Sequence, residues 1–229
     1  MDAVKKRVFY TELAYVLGLL ALAVGTALME RADFGVSMVV APAYLLHLKL
    51  SEFWPFFTFG MAEYTFQAVL VLVTMLLLRR AKLSYFFSFV TAVVYGLLLD
   101  GAIALVALLP VSGIGADLGL FVVGMLFCSA GVSMVFHTYI SPEAYELFVK
   151  ELSGKFGVDI HKFKTGYDCT SCLLSVVMSF AFFGLWHFEG VKLGTVVCAL
   201  LNGTIIGLFT RFFEKYWVFE DRFPYRKYF

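Results

Sequence analysis

Charge is scarce in this chain. Asp, Glu, Lys and Arg make up 15% of its 229 residues, where a soluble domain carries about 25%. The formal net charge is only +1, so no basic excess points to nucleic acid. Cysteine is limited to Cys128, Cys169, Cys172 and Cys198, all in or beside apolar runs. That excludes a secreted disulfide framework. Cys169 and Cys172 have redox or metal spacing, but zinc wants four ligands, and His47, His137, His161 and His187 are scattered along the chain. No Gly-rich phosphate loop, HExxH or GxSxG is present. Neither an enzyme, nor a metal site, nor a cofactor is expected.

Apolar sequence fills the space instead. Hydrophobic residues reach 61% and the mean hydropathy is +0.86. Six spans of about 20 residues would use about 120 positions and leave only short loops. The runs fall at about 10–29, 55–78, 83–109, 119–140, 165–188 and 193–213. The first, after Lys5, Lys6 and Arg7, has the flanks of a signal peptide. Its counterpart later in the chain favours a span. Two stretches are too polar to cross: 30–54, with Pro42, Tyr44, His47 and Lys49, and 141–164, which opens on Ser141, Pro142 and Glu143. Both suit interfacial or re-entrant segments, and the second has helix-start chemistry. The tail, 214–229, alternates aromatic and charged residues as a headgroup layer would ask.

Lysine and arginine set the orientation. With six spans, fifteen of the eighteen fall on the side of the termini, and only Arg31, Lys49 and Lys192 face the other way. Basic residues stay in the cytoplasm, so both ends are expected there.

The chain also resembles itself at an offset near 105. Gly25 pairs with Gly131, Ser37 with Ser141, Glu63 with Asp168 and Gly96 with Gly203, at offsets of 106, 104, 105 and 107. Each copy holds three spans, so the second enters the membrane from the opposite side. The expected fold is all-α: one membrane domain of six transmembrane helices in two inverted repeats, about 10–109 and 119–213. Each repeat carries an amphipathic or re-entrant segment after its first helix. Such repeats are common in secondary transporters, with sites near their interface.

Ionisable groups within spans cost about 2.5–3.5 kcal/mol at mid-membrane and persist where they face a cavity or a partner. Glu63 and Asp168 form the leading candidate pair for binding a solute or an ion. Glu63, eight residues into its run, is placed near mid-depth. Asp168 either joins it or serves as a helix-start carboxylate. Asp100 either ends its helix or lines a cavity, and Gly207 takes its place in the second copy. Arg31 and His137 close the first span of each repeat, either as cations at the mouths of a pathway or as interfacial residues. Ser37, Ser141 and Asn202 are candidate hydrogen-bonding groups. Gly203 and Gly207 permit close helix approach, within the chain or between subunits.

The segments 25–37, 145–150, 164–168, 190–195 and Asn202 with Gly203 resemble the YczE/YitT-like group of bacterial integral membrane proteins over nearly the whole chain. The resemblance implies a multi-span protein of the bacterial inner membrane and transfers no substrate. Met38 stands where that group tends to have proline. The leading expectation is a small secondary transporter or exporter of an unidentified solute, in contact with the bilayer and able to form a homodimer. The alternatives are an accessory or docking subunit, or the ligand-capture subunit of a larger transporter.

Overall fold

The computed structural model describes residues 6–111, 113–158, 160–185, 190–224 and 226, and the side chains of 160–162 are excepted. Lys5, His187, Lys227 and the end of the tail lie outside the described residues, as do the side chains of His161 and Lys162.

In chain order the elements are β1 (Arg7–Tyr10), α1 (Thr11–Ala32), α2 (Ala41–Ser51), α3 (Phe59–Leu78), α4 (Leu83–Val106), α5 (Ile114–Phe136), α6 (Ala144–Phe156), α7 (Ile160–Phe183), α8 (Leu193–Tyr216) and β2 (Trp217–Glu220). Six helices are long and apolar enough to cross a membrane: α1, α3, α4, α5, α8 and the part Phe163–Phe183 of α7. The protein is an all-α, multi-pass membrane protein. The short helices α2 and α6 occupy the two amphipathic stretches, each after a long helix.

Local chemistry sets the ends of these helices. Thr58 caps α3, its hydroxyl accepting the Met61 N–H at 3.1 Å. Pro42 sits in the first turn of α2, where a missing N–H costs little. The span expected at 119–140 begins earlier, with Asp117 in the first turn of α5, where the helix dipole favours an acid. The span expected at 165–188 ends at Phe183, before Gly184 at φ 98, a value that suits glycine.

The start of the tail carries regular structure. Helix α8 runs on to Tyr216, and β2 then pairs in parallel with β1, Arg7 opposite Trp217 and Tyr10 opposite Glu220. Glu12 fastens the turn beyond, accepting the N–H groups of Arg222 and Phe223 at 3.2 and 3.1 Å. Alternate side chains along a strand face opposite ways, and that alternation leaves Trp217 and Phe219 half-buried and Val218 and Glu220 exposed.

Helices α1 and α5 form the centre and run antiparallel. A Cβ on Gly131 would stand 2.6 Å from the Gly18 carbonyl, and one on Gly124 2.7 Å from the Gly25 carbonyl. Shifting either contact by 106 residues yields the other. Small residues let the backbones touch, which helices in lipid use to gain van der Waals contact. Around this seam α4 packs on α1 and α8 on α5, while α2 and α6 each lie between α3 and α7. One relationship is not repeated. Helix α3 lies along α4, with Gly60 against Gly96, but α7 does not lie along α8 in that way, and these two are the least buried of the six spans.

Candidate functional site

The start of α6 is drawn into the bundle. Ser88 of α4 donates to the Pro142 carbonyl at 2.6 Å, and Thr91 to the Ser141 carbonyl at 3.0 Å. From α3, Gln67 Oε1 accepts the Ala144 N–H at 3.0 Å. These bonds satisfy backbone groups that lipid would leave unpaired, and they bury Ser141 and Glu143.

The same glutamine joins two acids. Its Nε2 donates to Glu63 Oε2 at 3.3 Å and to Glu143 Oε2 at 3.2 Å. The Tyr145 hydroxyl donates to Glu63 Oε2 at 2.9 Å. Glu63 is fully buried, although it stands only about 6 Å along α3. The burial comes from α6 lying across it. The remaining oxygen of each acid, Oε1 of Glu63 and of Glu143, has no hydrogen-bond partner. Burial, then the charges of Glu146 and Glu63, push the Glu143 carboxyl well above the usual carboxylate range, and the Gln67 bond opposes them.

Glu143 and Tyr145 also line a cavity of about 770 Å³. It lies between α1, α5, α7 and α8 and is bounded by residues 37–40 ahead of α2 and by the start of α6. Most of the wall is apolar. Its charged members are Glu143, Glu146, Lys164 and Asp168. Lys164 stands 3.9 Å from Glu146 and 3.7 Å from Asp168. Among the described residues, no three His, Cys, Asp or Glu side chains gather closely enough for a metal ion.

The expected residues divide between this region and elsewhere. Asp168, Ser37 and Asn202 line the cavity, and Asn202 accepts from Ser129 at 2.6 Å. Glu63 lies behind its wall, bonded to Tyr145. Ser141 is buried beside Glu143 with its hydroxyl unpartnered. Asp100 binds the first turn of α3 through Thr58 and Gly60, outside the cavity lining. Arg31 donates to the Val111 carbonyl at 3.3 Å. His137 bonds the Ser133 carbonyl at 2.7 Å and stacks on Phe219. Neither Arg31 nor His137 lines the cavity. Around Gly203 and Gly207 nothing lies within 4 Å of an added Cβ.

Sequence reasoning missed Gln67, Glu143 as a site residue, Tyr145, Glu146 and Lys164. One signal was present: Gln67 follows Glu63 by four residues and so shares its helix face.

A family model described as a family of unknown function, DUF6198, matches residues 9–211. No curated protein and no solved structure matches the chain significantly.

Proposed function

The chain belongs to the DUF6198 family, and we propose that it is a small secondary transporter whose solute binds in the cavity and whose coupling ion is a proton held by the Glu63 and Glu143 pair. One observation carries the reading. Two buried carboxylates, Glu143 on the cavity wall and Glu63 behind it, share a single glutamine amide, each with an oxygen that nothing satisfies. Among the described residues no buried lysine or arginine balances them. Two anions so placed are costly in an apolar interior, and a proton taken from and returned to the cavity removes that cost.

Two inverted repeats belong to the same proposal. The reciprocal contacts of Gly18 with Gly131 and Gly25 with Gly124 support an in-plane twofold axis through the seam of α1 and α5. So does the order of the helices, long, short, long and long, given twice. Access then alternates. Around α3 and α4 the bundle is sealed by Gly60, Gly96 and Asp100, while beside α7 and α8 it is open. With both termini in the cytoplasm, as the basic residues favour, the open side is the inner one. The resemblance to the YczE/YitT-like group supports a bacterial inner-membrane location for this transporter.

Proteoliposomes holding a pH-sensitive dye test the reading. Adding the transported solute on one side should move protons, and Glu143→Gln should abolish that movement. If no solute from a broad panel of amines, amino acids and sugars crosses, and Glu143→Gln behaves as the parent, the chain is not a proton-coupled carrier.

A further inference from the structure

We propose that the cavity binds an amphipathic organic cation, a protonated amine or a quaternary ammonium or phosphonium ion on an apolar body, in exchange for a proton at Glu143. The exchange rests on the transporter reading above, whereas the cation site stands on the wall of the cavity alone. Three acids, Glu143, Glu146 and Asp168, face one base, Lys164. Lys164 turns to Glu146 and Asp168, which leaves Glu143 without a cationic partner. Its Oε1 is unpartnered and the residue is 8% exposed, on the cavity wall.

Among the described residues, the titratable groups that interact with the charge of Glu143 are Glu63 from α3, Tyr95 from α4, Tyr15 from α1, Cys128 from α5, and Glu146 and Tyr145 from α6. None of them is basic. The rest of the wall suits the body of such an ion, with aliphatic side chains and the rings of Tyr95, Tyr145 and Phe136. Aromatic faces attract cations most strongly where water is excluded. The volume, about 770 Å³, falls within the range of small-molecule sites.

Two other ligand classes fit less well. An inorganic cation finds too few ligands among the described residues. An anion would look to the helix starts at the cavity. The first turn of α2 offers little: the Val40 and Ala41 N–H groups bond Ser37, Pro42 has none, and Tyr44 bonds Val40. That leaves at most Ala43 to donate. In α6, Glu143 stands at the N-cap itself and Gln67 already takes the Ala144 N–H.

In the exchange the carboxylic acid of Glu143 gives up its proton to the cavity water, and the carboxylate formed balances the arriving ammonium. The charge within the site does not change. At lower pH the proton competes and the cation is expelled.

The experiment titrates the purified full-length protein with tetraphenylphosphonium and with tetraphenylborate, which has the same shape and the opposite charge. The phosphonium should bind saturably at neutral pH, at least about tenfold more tightly than the borate, and release a proton into weakly buffered solution. Lowering the pH should weaken it. Glu143→Gln should lose the binding and the proton release. Lys164→Gln, which frees Glu146 and Asp168, should tighten it, a gain that a misfolded protein does not give. Equal binding of the two ions, or binding of neither, overturns the cation site. Phosphonium binding without pH-driven uptake into proteoliposomes keeps the site and removes the transporter. Flux of a different solute without phosphonium binding does the reverse.

Discussion

Asp100 holds the first turn of α3 from the neighbouring helix, its Oδ1 accepting the backbone N–H of Gly60 at 2.8 Å. Its Oδ2 takes the Thr58 hydroxyl at 2.6 Å. A carboxylate at a helix N-terminus satisfies donors that the helix leaves free and lies favourably in its dipole. Asp100→Ala should therefore cost about 1–3 kcal/mol, read as earlier thermal unfolding in detergent. Asp100→Asn keeps one acceptor and should lose less. Equal melting of Asp100→Ala and the parent protein would rule out the latch.

The seal beside Asp100 depends on two glycines. A Cβ on Gly96 would stand 2.7 Å from the Gly60 carbonyl, and that carbonyl belongs to helix backbone that must move to admit it. Gly96→Ala should destabilise by about 1–3 kcal/mol, as overpacking does. Gly203, 107 residues further on in α8, has nothing within 4 Å of an added Cβ. Gly203→Ala should be neutral or stabilise by up to about 1 kcal/mol through helix propensity. Melting curves of the two variants, side by side, separate a sealed helix pair from an open one.

Glu143 gives the protein a pH dependence opposite to that of a salt-bridged acid. Its folded-state value lies well above the ordinary 4.5, because burial and then Glu146 and Glu63 disfavour the charge. Between 4.5 and that raised value the folded protein binds the proton more tightly than the unfolded chain. Its contribution is therefore full below the unfolded value and declines as pH rises towards the folded one. Glu143→Gln removes this penalty. The variant should melt above the parent at neutral and alkaline pH, and the gap should close as the pH falls towards about 4.5. Each unit of raised affinity corresponds to about 1.4 kcal/mol. A gap that is constant across pH would mean that Glu143 does not titrate in this range.

The six spans were legible because an apolar run of about 20 residues has few other uses. Of the two short helices, α6 was legible from Pro142 with Glu143, whereas the stretch that holds α2 was legible only as too polar to cross. Glu63 stood out as an acid in an apolar run. What it meets did not. Gln67 reaches Glu143 across 76 positions of sequence, and no helical period records which faces come together once the chain has passed through α4 and α5. Asp100 was visible as a charge near a helix end, yet its partner lies 40 positions back, at Gly60. The strand pair was the least legible element. β1 and β2 are four residues each and gain their pairing only because α1 and α8 bring residues 7–10 beside 217–220.

Gly60 pairs with Gly166 at an offset of 106, one residue short of the 107 that pairs Gly96 with Gly203. Gly60 and Gly96 touch, whereas nothing lies within 4 Å of a Cβ on Gly166 or Gly203. If the halves rock about the seam of α1 and α5, closing α7 on α8 must accompany the parting of α3 from α4. A pair of cysteines at 166 and 203, in a background with Cys128, Cys169, Cys172 and Cys198 replaced by serine or alanine, reports that movement by cross-linking. The yield should be low in the resting protein. Gly96→Leu, a wedge between α3 and α4, should raise it several-fold from the other end of the molecule. A folded variant with the wedge in place and an unchanged yield would mean that the two ends move independently, and alternating access would then lose its mechanical basis here.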